Sequence, residues 1–211
     1  MGEAGEEKNA DLEELEKQKW YHGLLPRKDI VELLKEDGDF LVRYTQKGGF
    51  QIVVTHLWKG EIIHMMLQKD PLKNVYRMPN KDFHSVVELV NYYRKGKRPF
   101  NEKGALLVKP VPKKAWLISH KDVELSKKIG EGNFGEVFLG TMNFGQRKIP
   151  VAVKSCKTVV GEDQRDEFMK EAKMMLLYRH DNVVRIYAIA ADKPPLLMVL
   201  LTGVPACRGM Y

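Results

Sequence analysis

The chain has 211 residues, a formal charge of +7 from 35 basic and 28 acidic side chains, and 44% hydrophobic residues. This composition excludes disordered and fibrous classes and leaves room for two small cores. No apolar run approaches the roughly 18 to 20 residues that span a bilayer; the longest, Leu196 to Leu201, has the length of a buried strand.

Charge divides the chain. Residues 1–19 carry −4, residues 20–109 carry +6 and residues 110–211 carry +5. Two basic modules behind an acidic leader are compatible with nucleic acid, an anionic membrane surface or phosphorylated partners, and composition does not choose among them. The N-terminus lacks the basic start and apolar stretch of a secretory signal. Glu6 stands where a myristoylation motif requires Ser or Thr. Cys156 and Cys207 form no metal or redox spacing, so the expected compartment is the cytosol.

In chain order, residues 1–19 read as an acidic solvated leader, a tail or short helix, because Leu12 and Leu15 are too few for a packed face. Pro26 opens a helix with Ile30, Val31, Leu33 and Leu34 on one side and Gly38 as its stop. Strands follow at Phe40 to Tyr44, Phe50 to Trp58 and Glu61 to Leu67, with Lys59-Gly60 as a turn. Ser85-Val86-Val87-Glu88 forms a capping box that starts a second helix. Helix, antiparallel strands and helix make an α+β sandwich over residues 20–109. Residues 110–121, with two prolines and a run of lysines, read as a linker. Beyond it, Leu125 to Thr141 alternates around a glycine cluster and Ile149 to Ser155 is a β-branched run. Residues 163–178 have helical spacing at Phe168, Ala172, Met175 and Leu176, and Val183 to Ala190 and Leu196 to Leu201 are expected strands. This second region, residues 122–201, is a β-rich sheet with one helix, followed by a tail over residues 202–211.

The first chemical signal is Arg43. Phe40-Leu41-Val42 reads as a strand buried on both faces, and period two puts Arg43 on the face of Leu41. A guanidinium under a helix is costly unless an anion meets it, and its planar fork matches phosphate oxygens two to two. Arg27, in the first turn of the preceding helix, can reach the same place. Thr45 to Gly49 offers a hydroxyl and backbone N–H groups in a glycine-containing loop.

Trp20-Tyr-His-Gly-Leu-Leu-Pro-Arg27, Gly38-Asp-Phe-Leu-Val-Arg43 and Phe83-His-Ser-Val-Val-Glu-Leu-Val-Asn-Tyr-Tyr93 together resemble the phosphotyrosine-binding SH2 domain. The resemblance implies Arg43 as the bidentate phosphate ligand, Arg27 as a second clamp, Thr45 as the loop hydroxyl, and His64 lining the pocket. Its implied partners are phosphotyrosine-containing proteins, not nucleic acid. One position departs from the pattern: many family members carry a basic residue two positions after the histidine, and this chain has Met66.

The second signal is Gly130-Glu131-Gly132-Asn133-Phe134-Gly135-Glu136-Val137, which fits G-x-G-x-x-G-x-V. In dinucleotide-binding folds the third glycine opens a helix; here Val137-Phe138-Leu139 continues as a strand, so the glycines sit at a hairpin tip. Val151-Ala152-Val153-Lys154 places a lysine in the next strand, and Glu171 lies in the helix beyond, bordering the side turned to the sheet. Singly, Lys154 also reads as a snorkelling strand lysine and Glu171 as a solvated helix charge. Jointly, residues 122–201 resemble the small lobe of a protein kinase, and both regions together look like the Fes/Fer group of non-receptor tyrosine kinases. The resemblance implies ATP held by Gly130, Glu131, Gly132, Asn133, Phe134, Gly135, Val137, Ala152, Lys154 and Glu171.

The catalytic residues of this family lie in H-R-D-x-x-x-x-N and D-F-G motifs, which also hold magnesium. Neither motif occurs in these 211 residues, and Arg179-His180-Asp181 has scrambled order. No catalytic residue and no metal ligand is therefore expected here, and these residues alone are expected to be inactive. The chain reads as a fragment or mis-terminated form of a cytoplasmic tyrosine kinase, or as a short non-catalytic phosphotyrosine adaptor or competitor. Apolar surface at Met174, Met175 and Leu196 to Leu201 is expected to leave the small lobe sticky or poorly folded.

Overall fold

The computed structural model describes residues 3–45, 51–132, 135–156, 162–180 and 183–201. The tail over 202–211, loop residues 46–50, Asn133 and Phe134 lie outside them, as does Asp181. The chain forms two compact units, Met1–Lys113 and Lys114–Tyr211. No helix among the described residues is long and apolar enough to cross a membrane.

The first unit runs α1 (Glu3–Glu16), α2 (Arg27–Val31), β1 (Asp39–Thr45), β2 (Gln51–Trp58), β3 (Glu61–Met66), β4 (Lys69–Asp70), β5 (Val75–Met78), β6 (Lys81–Phe83), α3 (Val86–Lys95) and β7 (Lys109–Pro110). Strands β3, β2, β1 and β7 form one sheet in that order, and β4, β5 and β6 a smaller one. The β2–β3 hairpin closes through Lys59 (φ 51°) and Gly60 (φ 74°), left-handed values at both central turn positions that match the twist of a two-residue hairpin. Phe40, Val42, Ile52 and Val54 occupy one face of the sheet in a core shared with Phe83, Leu89, Val90 and Tyr93.

Two expectations need correction here. The first concerns the leader, which is not simply solvated: Leu15 is fully buried in that core and Leu12 packs against it. The anchor is polar as well. Asp11 accepts a hydrogen bond from Tyr76 Oη at 2.7 Å and from the Val86 backbone N–H at 3.2 Å, so an acid of α1 satisfies an open donor at the start of α3. Burial and the Asp11 carboxylate both push the Tyr76 phenol far above its ordinary value. The second concerns α2, which stops at Val31 rather than running on toward Gly38. The Asp39 carboxylate takes the backbone N–H groups of Lys35 and Glu36 at 2.8 and 3.0 Å, turning the chain into β1. In α3, Ser85 caps as expected by accepting from Glu88 N, while the Glu88 carboxylate reaches back to His84 N.

The segment read as a linker is largely tied down. Lys109–Pro110 pairs in parallel with β1, and Val111 N donates to Phe40 O at 2.8 Å. In the second unit, β8 (Leu117–Ile118) lies parallel to β12 (Ile186–Ala190), and Ile189 N donates to Trp116 O. Backbone groups that a sequence reading leaves in water thus complete the two sheet edges.

After a 3-10 turn at His120–Asp122, the second unit continues with β9 (Val123–Gly132), β10 (Gly135–Phe144), β11 (Arg147–Cys156), α4 (Glu162–Leu177), β12 and β13 (Leu197–Leu201). The sheet order is β8-β12-β13-β11-β10-β9. Met142, Val151, Val153, Ala188, Ala190, Leu197 and Val199 form its core. Strand β12 starts at Ile186, and Val183 and Val184 are exposed. Residues Leu196 to Val199 are buried, against the expectation of a sticky surface there, while Met174, Leu177 and Tyr178 at the end of α4 are exposed. On α4 the buried side is Phe168, Met169 and Ala172, with Met175 and Leu176 only half-buried.

Candidate functional site

In the first unit the β1–β2–β3 register fixes one sheet face. Arg43 lies opposite Val53, which lies opposite Met66; Leu41 lies opposite Thr55, which lies opposite His64. Directly opposed residues of an antiparallel ladder share a face, so Arg43, Thr55 and His64 rise from the same side, with Leu41 fully buried beneath. Arg27, the first residue of α2, crosses to this face and its Nε donates to His64 Nε2 at 2.9 Å. Since Arg27 can only donate, His64 Nε2 accepts; the neutral ring then carries its hydrogen on Nδ1 and donates to Thr55 Oγ1 at 3.0 Å.

Burial and the positive charges of Arg27 and Arg43 lower the His64 pKa to about 4. The ring is therefore neutral at physiological pH and free to accept from Arg27. Arg43 is half-buried, and Thr45 closes β1 with most of its surface covered. Met66 is 59% exposed in the row of Arg43, so an apolar side chain stands where the sequence pattern favours a cation. Thr55 was absent from the sequence reading; its place opposite His64 follows only from the register of two strands.

The second site is on the other unit. Strands β9 and β10 form a hairpin with Gly130 opposite Val137 and Gly132 opposite Gly135. Gly135 has φ +153°, and a Cβ there would overlap Ser155 O and lie 2.8 Å from the Ser155 carbonyl carbon. Only glycine lets β10 approach β11 so closely. Gly132, by contrast, has nothing among the described residues within 4 Å of where a Cβ would stand. The side chain of Lys128 joins Glu131 at 2.7 Å and also pairs with Glu136, linking both arms of the hairpin.

Val137, Lys154 and Met198 lie in one cross-strand row, and Leu139, Ala152 and Leu200 in the next, all on one face. Helix α4 brings Glu171 to that face: Lys154 Nζ lies 2.7 Å from both Glu171 carboxylate oxygens and 6.0 Å from the Phe168 ring centroid. The lysine side chain is 23% exposed and the carboxylate 44%, so the pair is open to solvent on one side. A glycine hairpin and a fixed ammonium are the donor set that anchors nucleotide phosphates. Among the described residues, no group of three or more His, Cys, Asp or Glu is placed to hold a metal ion.

A third cluster lies away from both. Asp192 is buried and accepts from Ser119 Oγ at 2.9 Å, from the His120 backbone N–H, and from His120 Nδ1, while His120 Nε2 reaches Pro195 O at 2.7 Å. Burial works to raise the Asp192 carboxyl, but the hydrogen bonds and charge of His120 with the Ser119 hydroxyl outweigh it and hold it below the usual carboxylate range. This cluster ties the segment entering the sheet to the β12–β13 turn and presents no free nucleophile.

Comparison with known proteins matches each of the two units to a family. Residues 20–93 match the SH2 domain family and residues 123–203 the family of protein tyrosine and serine/threonine kinases. The chain therefore carries an SH2 domain followed by the start of a protein tyrosine kinase domain, in an α+β architecture with a β-rich small lobe. It is 38% identical over 184 residues, 87% of the chain, to the tyrosine-protein kinase transforming protein Fps of avian sarcoma virus (strain PRCII). To human tyrosine-protein kinase Fer it is 36% identical over 193 residues, 90% of the chain, and to Fer-related kinase 1 of Caenorhabditis elegans 33% over 208 residues, 95% of the chain. Its homologues are thus Fer and Fps tyrosine kinases, of whose length it spans 34%, 23% and 53% in these three.

Proposed function

We propose that the first unit binds phosphotyrosine-containing proteins and that the second supplies the ATP-anchoring part of a tyrosine kinase acting in the cytoplasm. The observation that carries the first half is the convergence of Arg27, Arg43 and His64 on one sheet face. Arg43 would take two phosphate oxygens through its fork, Thr45 would add a hydroxyl, and Arg27, released from or shared with His64, would close over phosphate and ring. Anionic ligand at this place offsets the cost of setting two guanidinium groups side by side.

In the second unit, the backbone between Gly130 and Val137 would cover the phosphates of ATP, Ala152 and Val137 would border the base, and Lys154 would hold phosphate oxygens while Glu171 fixes its direction. ATP supplies the transferable phosphoryl group. The residues that orient a substrate hydroxyl and magnesium in such kinases stand in H-R-D and D-F-G contexts that do not occur in these 211 residues, so what this chain contributes is binding and charge placement.

The test is titration of a tyrosine-phosphorylated peptide library against the intact chain and its Arg43→Leu variant. Losing a desolvated, hydrogen-bonded charge pair should cost about 2 to 5 kcal/mol of binding. Unchanged affinity, or equal binding of the unphosphorylated peptides, would end the assignment.

A further inference from the structure

We propose that Lys128 is a positioning residue for nucleotide: it neutralises two opposed carboxylates, Glu131 and Glu136, and so holds the glycine hairpin closed over an anionic ligand. This role rests on the reading of Gly130 to Val137 as the cover of the ATP phosphates. Glu131 stands directly opposite Glu136 in the β9–β10 ladder, one place from the pair Gly132 and Gly135. Like charges in directly opposed positions push an antiparallel pair apart. Lys128 meets both: its Nζ lies 2.7 Å from Glu131 Oε2 and also donates to Glu136 Oε1. Both carboxylates push the ammonium above its ordinary pKa, so it stays charged at physiological pH.

That meeting depends on an irregularity in β9. In a regular strand, residues three apart such as Lys128 and Glu131 point to opposite faces. Here Val137 pairs with Gly130 but Phe138 pairs with Lys128, so β9 carries one extra residue, Ile129, between them. The bulge brings Lys128 round to the face of Glu131 and Glu136, as bulges beside binding sites re-aim a side chain. The same alternation sets this face apart from the ligand side. Gly130, Val137 and Lys154 share one cross-strand row, while Glu131, Glu136 and Ser155 share the next, so the two carboxylates stand on the back of the hairpin. Lys128 therefore acts through the hairpin and not on the nucleotide itself.

The plain alternative is a surface ion pair that supports folding. All three side chains are at least 42% exposed, and pairs so open to water contribute little stability. Their consequence is local charge. Without the ammonium, two carboxylates face each other across the arms of a hairpin that covers a polyanion, and their repulsion opens the arms while their field opposes the ligand. Both effects act on the phosphates and neither acts on an uncharged nucleoside.

The experiment is calorimetric titration of the intact chain with ATP and with adenosine, for the wild type, Lys128→Met and the double variant Lys128→Met, Glu131→Gln. Lys128→Met should weaken ATP about fivefold, the upper end for one exposed charge interaction, and leave adenosine affinity and the melting temperature unchanged. The loss should shrink with added salt, which screens the repulsion. Adding Glu131→Gln should restore most of the ATP affinity, because the opposed like charges are then gone; support of folding by an ion pair would not be rescued by removing its second partner. Equal losses for ATP and adenosine, a lowered melting temperature, a defect indifferent to salt, or failure of the double variant to recover would each overturn the role of Lys128 and leave the ATP reading standing. A wild-type chain that binds ATP no better than Lys154→Ala would end the ATP reading, and this role with it.

Discussion

Lys154 Nζ stands 2.7 Å from both carboxylate oxygens of Glu171, across the gap between a strand and a helix 17 positions apart in the chain. Both side chains are partly exposed, so solvent screening leaves the pair worth about 1 kcal/mol or less to folding. Its value is directional. Glu171→Gln should leave the melting temperature of the intact chain nearly unchanged, while ATP affinity measured by calorimetry falls about tenfold, as expected for losing one charge-assisted contact. A large loss of stability with intact nucleotide binding would reverse that assignment.

The two ends of the glycine hairpin should respond differently to a methyl group. Gly135→Ala forces a Cβ onto the Ser155 carbonyl at a backbone angle that side chains rarely adopt, and should destabilise the second unit by about 3 kcal/mol or more. Gly132→Ala meets nothing within 4 Å among the described residues and should cost under about 1 kcal/mol. Urea denaturation of both variants in parallel distinguishes crowding from a general intolerance of the loop.

His64 should titrate near pH 4 in the free chain, followed through its ring proton signals in NMR. Its folded pKa lies below the unfolded value of about 6.5, so the stability linked to it is fully present above pH 6.5 and lost as pH falls toward 4. A tyrosine-phosphorylated peptide brings a dianion to the same face and should raise the midpoint. A midpoint near 6.5 that ignores the peptide would remove His64 from the pocket.

Asp192 gives an acid-side prediction. A depressed carboxyl contributes stability above its unfolded pKa of about 3.9 that is lost as pH falls through the lower folded value. With Trp20 and Trp58 replaced by phenylalanine, fluorescence of Trp116 reports on the segment that Asp192 holds. Asp192→Asn should lower stability at neutral pH and flatten its decline below about pH 4; an unaltered acid profile would show that the cluster is not linked to folding.

Leu15 offers a test of the leader. Truncating this fully buried side chain to alanine should cost about 2 to 4 kcal/mol in denaturation of the first unit, the range for a core leucine. A change below about 0.5 kcal/mol would return α1 to the solvated role that its sequence suggests.

Which features were legible in sequence follows from the range of the forces involved. Local patterns set the strands and their turns: period-two alternation around Arg43, β-branched residues at Val151 to Val153, and Ser85 with Glu88 at a helix start need no distant partner to be recognised. The glycine spacing from Gly130 to Val137 and the arginine after Phe40-Leu41-Val42 are chemical signals that survive translation into any register. The sequence by itself therefore determined the two kinds of anion-binding group and the strands that carry them. Tertiary structure decided what those groups touch. That Thr55 and Arg27 share His64 depends on how β2 and β3 align and where α2 crosses them. That Asp11 and Leu15 belong to a core depends on an open donor at Val86 and an apolar gap more than 70 residues away. That Lys109–Pro110 and Leu117–Ile118 are strands depends on free sheet edges that pair with them. Two leucines on an acidic helix, or a short Pro-Lys segment, bury too little by themselves to announce a partner, and only the complementary surface supplies the energy that orders them.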